Sequence, residues 1–126
     1  MILVAALVAL SGSLLQAQPD NIVLDHSKSF GKKGRSPVPF PHSRHIEAGP
    51  SCKDCHHLYE NGKNVLDEST LEEGNPGVHC SACHSSKSRI DLEQAFHHQC
   101  MGCHKRFLKE KKKTGPRLCG ECHLRK

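Results

Sequence analysis

The stretch "CKDCHH", residues 52–57, sets two cysteines three positions apart and follows them at once with two histidines. The same order of thiol, two residues, thiol and imidazole returns three more times. The copies are Cys80-Ser-Ala-Cys83-His84, Cys100-Met-Gly-Cys103-His104 and Cys119-Gly-Glu-Cys122-His123. All 8 cysteines of the chain are used in this way, with none left over. With 11 histidines among 126 residues, four such coincidences have a chance frequency of about 10⁻⁴.

C-x-x-C-H is the attachment signature of c-type haem. Two thiols three apart sit on one turn and reach the two vinyl groups on one edge of a porphyrin. The imidazole of the next residue then reaches the iron from the same side. Two rival uses of the cysteines are weaker. Four C-x-x-C knuckles could hold two zinc ions, but zinc does not require a histidine after each pair. Disulfides within each pair would close tiny loops and constrain little.

Composition points the same way. The run from Ile2 to Leu15 is apolar or small, too short to span a bilayer comfortably, and the first charged residue is Asp20. It is predicted to be an export signal, residues 1–17, cut after Ala17, although no Lys or Arg precedes it; membrane anchoring is the alternative. Beyond it, only 24 apolar side chains other than cysteine remain in residues 18–126, about 22% against the usual 45–50%. Side chains alone cannot then build an interior that offsets the entropy of ordering the chain. Four haems supply the missing core. The expected fold is therefore a mainly α and irregular small multihaem cytochrome. Short helices and coil wrap four haems, with at most a small two-stranded sheet. Residues 18–39 are predicted to form an N-terminal extended segment and residues 40–126 the haem domain.

Each iron has a second axial position to fill. Methionine is nearly absent: Met1 precedes the export segment's cut, and Met101 lies between Cys100 and Cys103. The candidates are His26, His42, His45, His57, His79, His97 and His98. In "FPHSRHIEAGP", residues 40–50, Pro41 suits a helix start and Gly49 a helix stop. His42 and His45 then share one helix face and can serve two different irons. Adjacent residues on a helical turn diverge by about 100°, so His57 must face away from the haem of His56 and is predicted to ligate a neighbouring haem. Residues 88–104 read as a helix with a capping-box-like start at Ser88 and Asp91 and an apolar stripe of Leu92, Ala95 and Phe96. Either His97 or His98 is the ligand from that helix. "ENGKNVLDESTLEE", residues 60–73, reads as a surface loop or short hairpin turning at Asn61-Gly62.

From Phe40 to His123 the chain resembles the tetrahaem cytochrome c3 family. The marks are F-x-H-x-x-H before the first motif, C-x-x-C-H-H at it, and an aromatic-His segment before the third. All four motifs here are C-x-x-C-H, whereas some members have C-x₄-C-H at the second and fourth. The pattern is similar to second-type c3 proteins and to c3-like modules of larger cytochromes. The resemblance implies the ligand pairs His42 with His56, His57 with His84, His45 with His104, and His97 with His123.

Eight histidines on four irons leave no axial position for a substrate, so electron transfer rather than enzymology is expected, at low potential without methionine ligation. The alternative is a small multihaem reductase of metal ions or oxyanions, which needs an open axial position. The resemblance implies a periplasmic carrier in anaerobic sulfate respiration. It would take electrons from hydrogenase or another c3 and pass them to a membrane redox complex. Residues 1–99 carry 9 basic and 11 acidic side chains, and residues 100–126 carry 9 and 2. The basic run 105–113, "KRFLKEKKK", is the predicted docking face for an acidic partner. An exported haem protein is not expected to bind nucleic acid.

Overall fold

In the computed structural model, residues 20–30 and 34–124 are described. The predicted export segment, residues 1–17, lies outside them. Strand β1 (Asn21–Leu24) pairs antiparallel with β2 (Val38–Pro41), with Ile22 opposite Phe40 and Leu24 opposite Val38. These four side chains are half-buried and line one face. Pro39 and Pro41 share one parity, so their missing N–H groups fall on the side away from β1, where a ladder tolerates them. One turn of helix, α1 (Ser27–Phe30), lies between the strands, started by the Asp25 carboxylate accepting from the Ser27 N–H at 2.9 Å.

Helix α2 (His42–Glu47) follows β2 directly, with Pro41 in extended conformation at its cap and Gly49 at φ 97° beyond its end. Three of the four cysteine motifs are each a single helical turn: α3 (Cys52–Cys55), α4 (Cys80–Cys83) and α6 (Cys119–Cys122). The residue at the second x position explains two of these turns. Asp54 accepts from the Ser51 N–H at 2.8 Å, and Glu121 accepts from the Leu118 N–H at 2.9 Å, so each motif carries its own N-terminal cap.

The third motif lies inside the one long helix, α5 (Leu92–Lys109), which is 18 residues and about 27 Å long. Its capping box is Asp91 with Gln94, one turn later than the sequence reading placed it. Ser88 is otherwise engaged: its hydroxyl donates to the Cys83 carbonyl at 2.8 Å and accepts from the Ser85 N–H, closing the chain after the second motif.

After α3 a hairpin forms, β3 (Tyr59–Glu60) with β4 (Lys63–Asn64). Its two turn residues, Asn61 at φ 49° and Gly62 at φ 79°, both need the left-handed region, which is why Asn-Gly stands there. Two isolated 3₁₀ turns follow, Glu68–Thr70 capped by Asp67 and Pro76–Val78 capped by Asn75. The architecture is thus short helices, coil and small two-stranded ladders. There are two ladders rather than one, because the N-terminal segment also pairs.

Among the described residues the only buried hydrophobic side chain is Leu92, at 4% exposure. None of the eight cysteines is in a disulfide, and all are exposed or half-exposed, although cysteine outside disulfides is ordinarily among the most buried residue types. Long-range ties are mostly polar. The Gln99 amide donates to the Asp54 carbonyl at 2.7 Å, docking the first motif on α5. The Ser36 hydroxyl donates to the Leu124 carbonyl at 2.6 Å, tying the N-terminal region to the fourth motif.

Candidate functional site

The four motifs converge. Burial pushes the Cys100 thiol up to about 11, and Cys122, Cys55 and Cys80, one thiol from each other motif, push it the same way. Cys100 of the third motif therefore lies near a thiol of each of the other three.

Three of the four motif histidines are oriented by a backbone carbonyl outside their own turn. His84 Nδ1 donates to the Ile90 carbonyl at 2.9 Å, His104 Nδ1 to the Pro116 carbonyl at 2.6 Å, and His123 Nδ1 to the Ser36 carbonyl at 2.8 Å. A proton held at Nδ1 fixes the tautomer that leaves Nε2 as a lone-pair donor, the usual outer-shell arrangement of a metal-binding histidine. Burial first, then the neighbouring His42, holds the His56 imidazole below its ordinary value, toward the neutral form that binds metal.

Opposite these rings stand histidines from elsewhere in the chain. His45 faces His104 with ring centroids 6.2 Å apart and planes 26° from parallel. His57 faces His84 at 6.0 Å and 83°, and His97 faces His123 at 6.4 Å and 80°. His45 is itself oriented, its Nδ1 donating to the Pro41 carbonyl at 2.8 Å and its ring packing on Phe40. His42 lies near His56, and its Nδ1 is buried without a hydrogen-bond partner. The other histidines sit differently. His26 packs its ring against Phe96, His79 stands at the N-cap position of α4, and His98 lines, together with His97, Met101 and Lys105, a surface hollow of about 440 Å³.

A profile of the Class III cytochrome C family matches residues 19–123. The chain belongs to this family. It is 36% identical over 113 residues to cytochrome c3 of Maridesulfovibrio salexigens, covering 86% of this chain and 96% of that one. It is also 30% identical over 114 residues to the high-molecular-weight cytochrome c of Nitratidesulfovibrio vulgaris, across 86% of this chain. The structure of the high-molecular-weight cytochrome c from Desulfovibrio vulgaris (Miyazaki F) superposes with a TM-score of 0.56 at 30% identity, over 94% of this chain. Against these larger cytochromes the chain spans about a fifth of their length, 18% and 22%.

A class III cytochrome carries covalently bound c-type haem, and the residues here fit that group. An imidazole nitrogen binds a transition metal at about 2 Å, so two imidazoles on opposite sides of one ion have ring centroids about 6 Å apart. The three facing pairs have that spacing. Paired zinc knuckles fit poorly: among the described residues no three of His, Cys, Asp or Glu gather around one point.

The cytochrome's third motif shows how closely the backbone is fitted to its histidine. A Cβ added at Gly115 would lie 2.6 Å from Cε1 and 2.7 Å from Nε2 of His104. Gly115→Ala is expected to tilt that ring and to destabilise the holoprotein by about 1–3 kcal/mol, the usual penalty of overpacking. Thermal melting together with the ferric spectrum checks this; one haem environment should change while the others hold.

Proposed function

We propose that the chain is a low-potential electron carrier with four covalently attached haems. Cys52 and Cys55, Cys80 and Cys83, Cys100 and Cys103, and Cys119 and Cys122 hold them. Their axial pairs are His42 with His56, His57 with His84, His45 with His104, and His97 with His123. The observation that carries this reading is the set of facing imidazoles, each joining one motif histidine to a histidine from another part of the chain. When bound, each haem supplies a one-electron couple. The chain's own residues clamp both axial faces, keep substrates off the metal, and withhold the methionine ligation that raises potential. The clustering of the motifs around Cys100 favours rapid exchange within the molecule.

The carrier works, on this reading, in the periplasm of an anaerobic sulfate-respiring organism, between hydrogenase or another c3 and a membrane redox complex. Among the described residues no helix is long and apolar enough to cross a membrane. The basic run 105–113 supports docking of an acidic donor. It covers the last turns of α5 and the chain just beyond, and its exposed lysines project a field that steers an anionic surface. Lys112 is partly neutralised by Glu110 at 2.6 Å, which leaves Lys105, Lys109, Lys111 and Lys113 as the stronger steering lysines.

Ferric electron paramagnetic resonance tests the ligand set, because low-spin anisotropy depends on the angle between the two imidazole planes. The pairs at 83° and 80° are expected to give two highly anisotropic signals, and the pair at 26° an ordinary rhombic one. Intact mass should count four haems, and the reduced protein should not bind carbon monoxide. High-spin iron or carbon monoxide binding in untreated protein would instead favour a reductase. Single substitutions separate the adjacent histidines. His97→Ala should convert one haem to high spin, whereas His98→Ala should leave all four low-spin; the reverse result would exchange their roles.

A further inference from the structure

Asn64 sits in β4, half-buried, and all the hydrogen-bonding capacity of its amide is used. Its Oδ1 accepts from the Leu58 N–H at 3.0 Å and the Leu66 N–H at 3.2 Å. Its Nδ2 donates to the His56 carbonyl at 3.2 Å and the Lys53 carbonyl at 3.3 Å. Two of these partners flank His57. The His56 carbonyl belongs to the peptide plane before it, and the Leu58 N–H to the plane after it. Peptide planes are rigid, so the only soft backbone torsions between them are φ and ψ of His57. One amide therefore holds both planes and sets those two torsions. Of the other two partners, Lys53 is inside the α3 turn that leads into His56.

From this geometry we infer that Asn64 is the positioning residue of the His56-His57 dipeptide, acting on two haem sites at once. Granted the ligand pairing proposed above, His56 and His57 serve different haems and must diverge at a defined angle. Among the described residues the rings near His57 are those of Tyr59 at 5.2 Å and His84 at 6.0 Å. The direction of its Cα–Cβ bond is set by the backbone, which Asn64 holds on both sides. A ligand whose direction is fixed by an outer hydrogen bond keeps its geometry as the metal changes charge.

The test uses full-length holoprotein with Asn64→Asp, which keeps the acceptor oxygen and loses both donors, and Asn64→Leu, which loses every bond. In both, the ferric signals of the His42/His56 and His57/His84 pairs are expected to shift, further in Asn64→Leu, while those of His45/His104 and His97/His123 stay in place. A fall in melting temperature with all four signals unmoved, or a shift of all four alike, overturns the inference. Amide exchange in the reduced wild-type protein decides independently of any variant. The Leu58 N–H should exchange far more slowly than an unstructured amide, and free exchange there overturns the inference too. A wild-type ferric spectrum without bis-imidazole signals is a different failure, that of the ligand pairing itself.

Discussion

Chain made without haem attachment, by changing all eight motif cysteines to serine, should be unfolded. Its far-ultraviolet circular dichroism should be that of coil, its amide proton resonances should be collapsed, and no cooperative melting transition should appear. The reason is the near absence of a polypeptide core. Ordering one residue costs about 1–2 kcal/mol, and fully burying a large apolar side chain contributes about 1.5–3 kcal/mol. Among the described residues one such side chain, Leu92, is buried. Capping at Asp91, Asp67 and Asn75 shapes turns locally, but caps contribute about 1 kcal/mol each and do not replace an interior. A helical spectrum with a sharp melting transition in the cysteine-free chain would show that the side chains suffice, and would remove the structural role assigned to haem.

The second large effect is expected at His57. His57→Ala should leave three haems low-spin and turn one five-coordinate, so that the reduced variant binds about one carbon monoxide per chain where the parent binds none. His57 belongs to the first motif segment and faces His84 of the second, so its loss would open an axial position at the second motif's haem. His57→Met offers the complementary measurement. It should keep that iron six-coordinate and raise its potential by a sizeable part of the about 0.8 V that axial ligands span. Potentiometry of the four couples reads this directly. A His57→Ala protein with parental spectra and no carbon monoxide binding would dismiss His57 as a ligand.

Much of the site was legible in the residues because thioether attachment is a local requirement. Two thiols and an imidazole must share one turn, and the spacing records it: three of the motifs are isolated turns bounded by their cysteines. Asn61-Gly62 was legible for the same reason, since a tight hairpin turn needs two positive φ values in place. The pairing of β1 with β2 was not, because prolines at 39 and 41 look like strand breakers until the partner strand shows which edge their nitrogens face. The start of α5 was misplaced by one turn because Ser88 and Asp91 both suit a cap. Only the fold commits the Ser88 hydroxyl to the Cys83 carbonyl.

The amino-acid order by itself determined the family and the four C-x-x-C-H motifs that mark it, since these follow from short-range spacing. Only the tertiary structure decided which imidazoles face one another. It brings the His97 ring to 6.4 Å from that of His123, although His97 and His98 both line the same surface hollow. Neighbours on a helix differ by about 100° in direction, and that angle has no meaning until something packed against the helix supplies the reference.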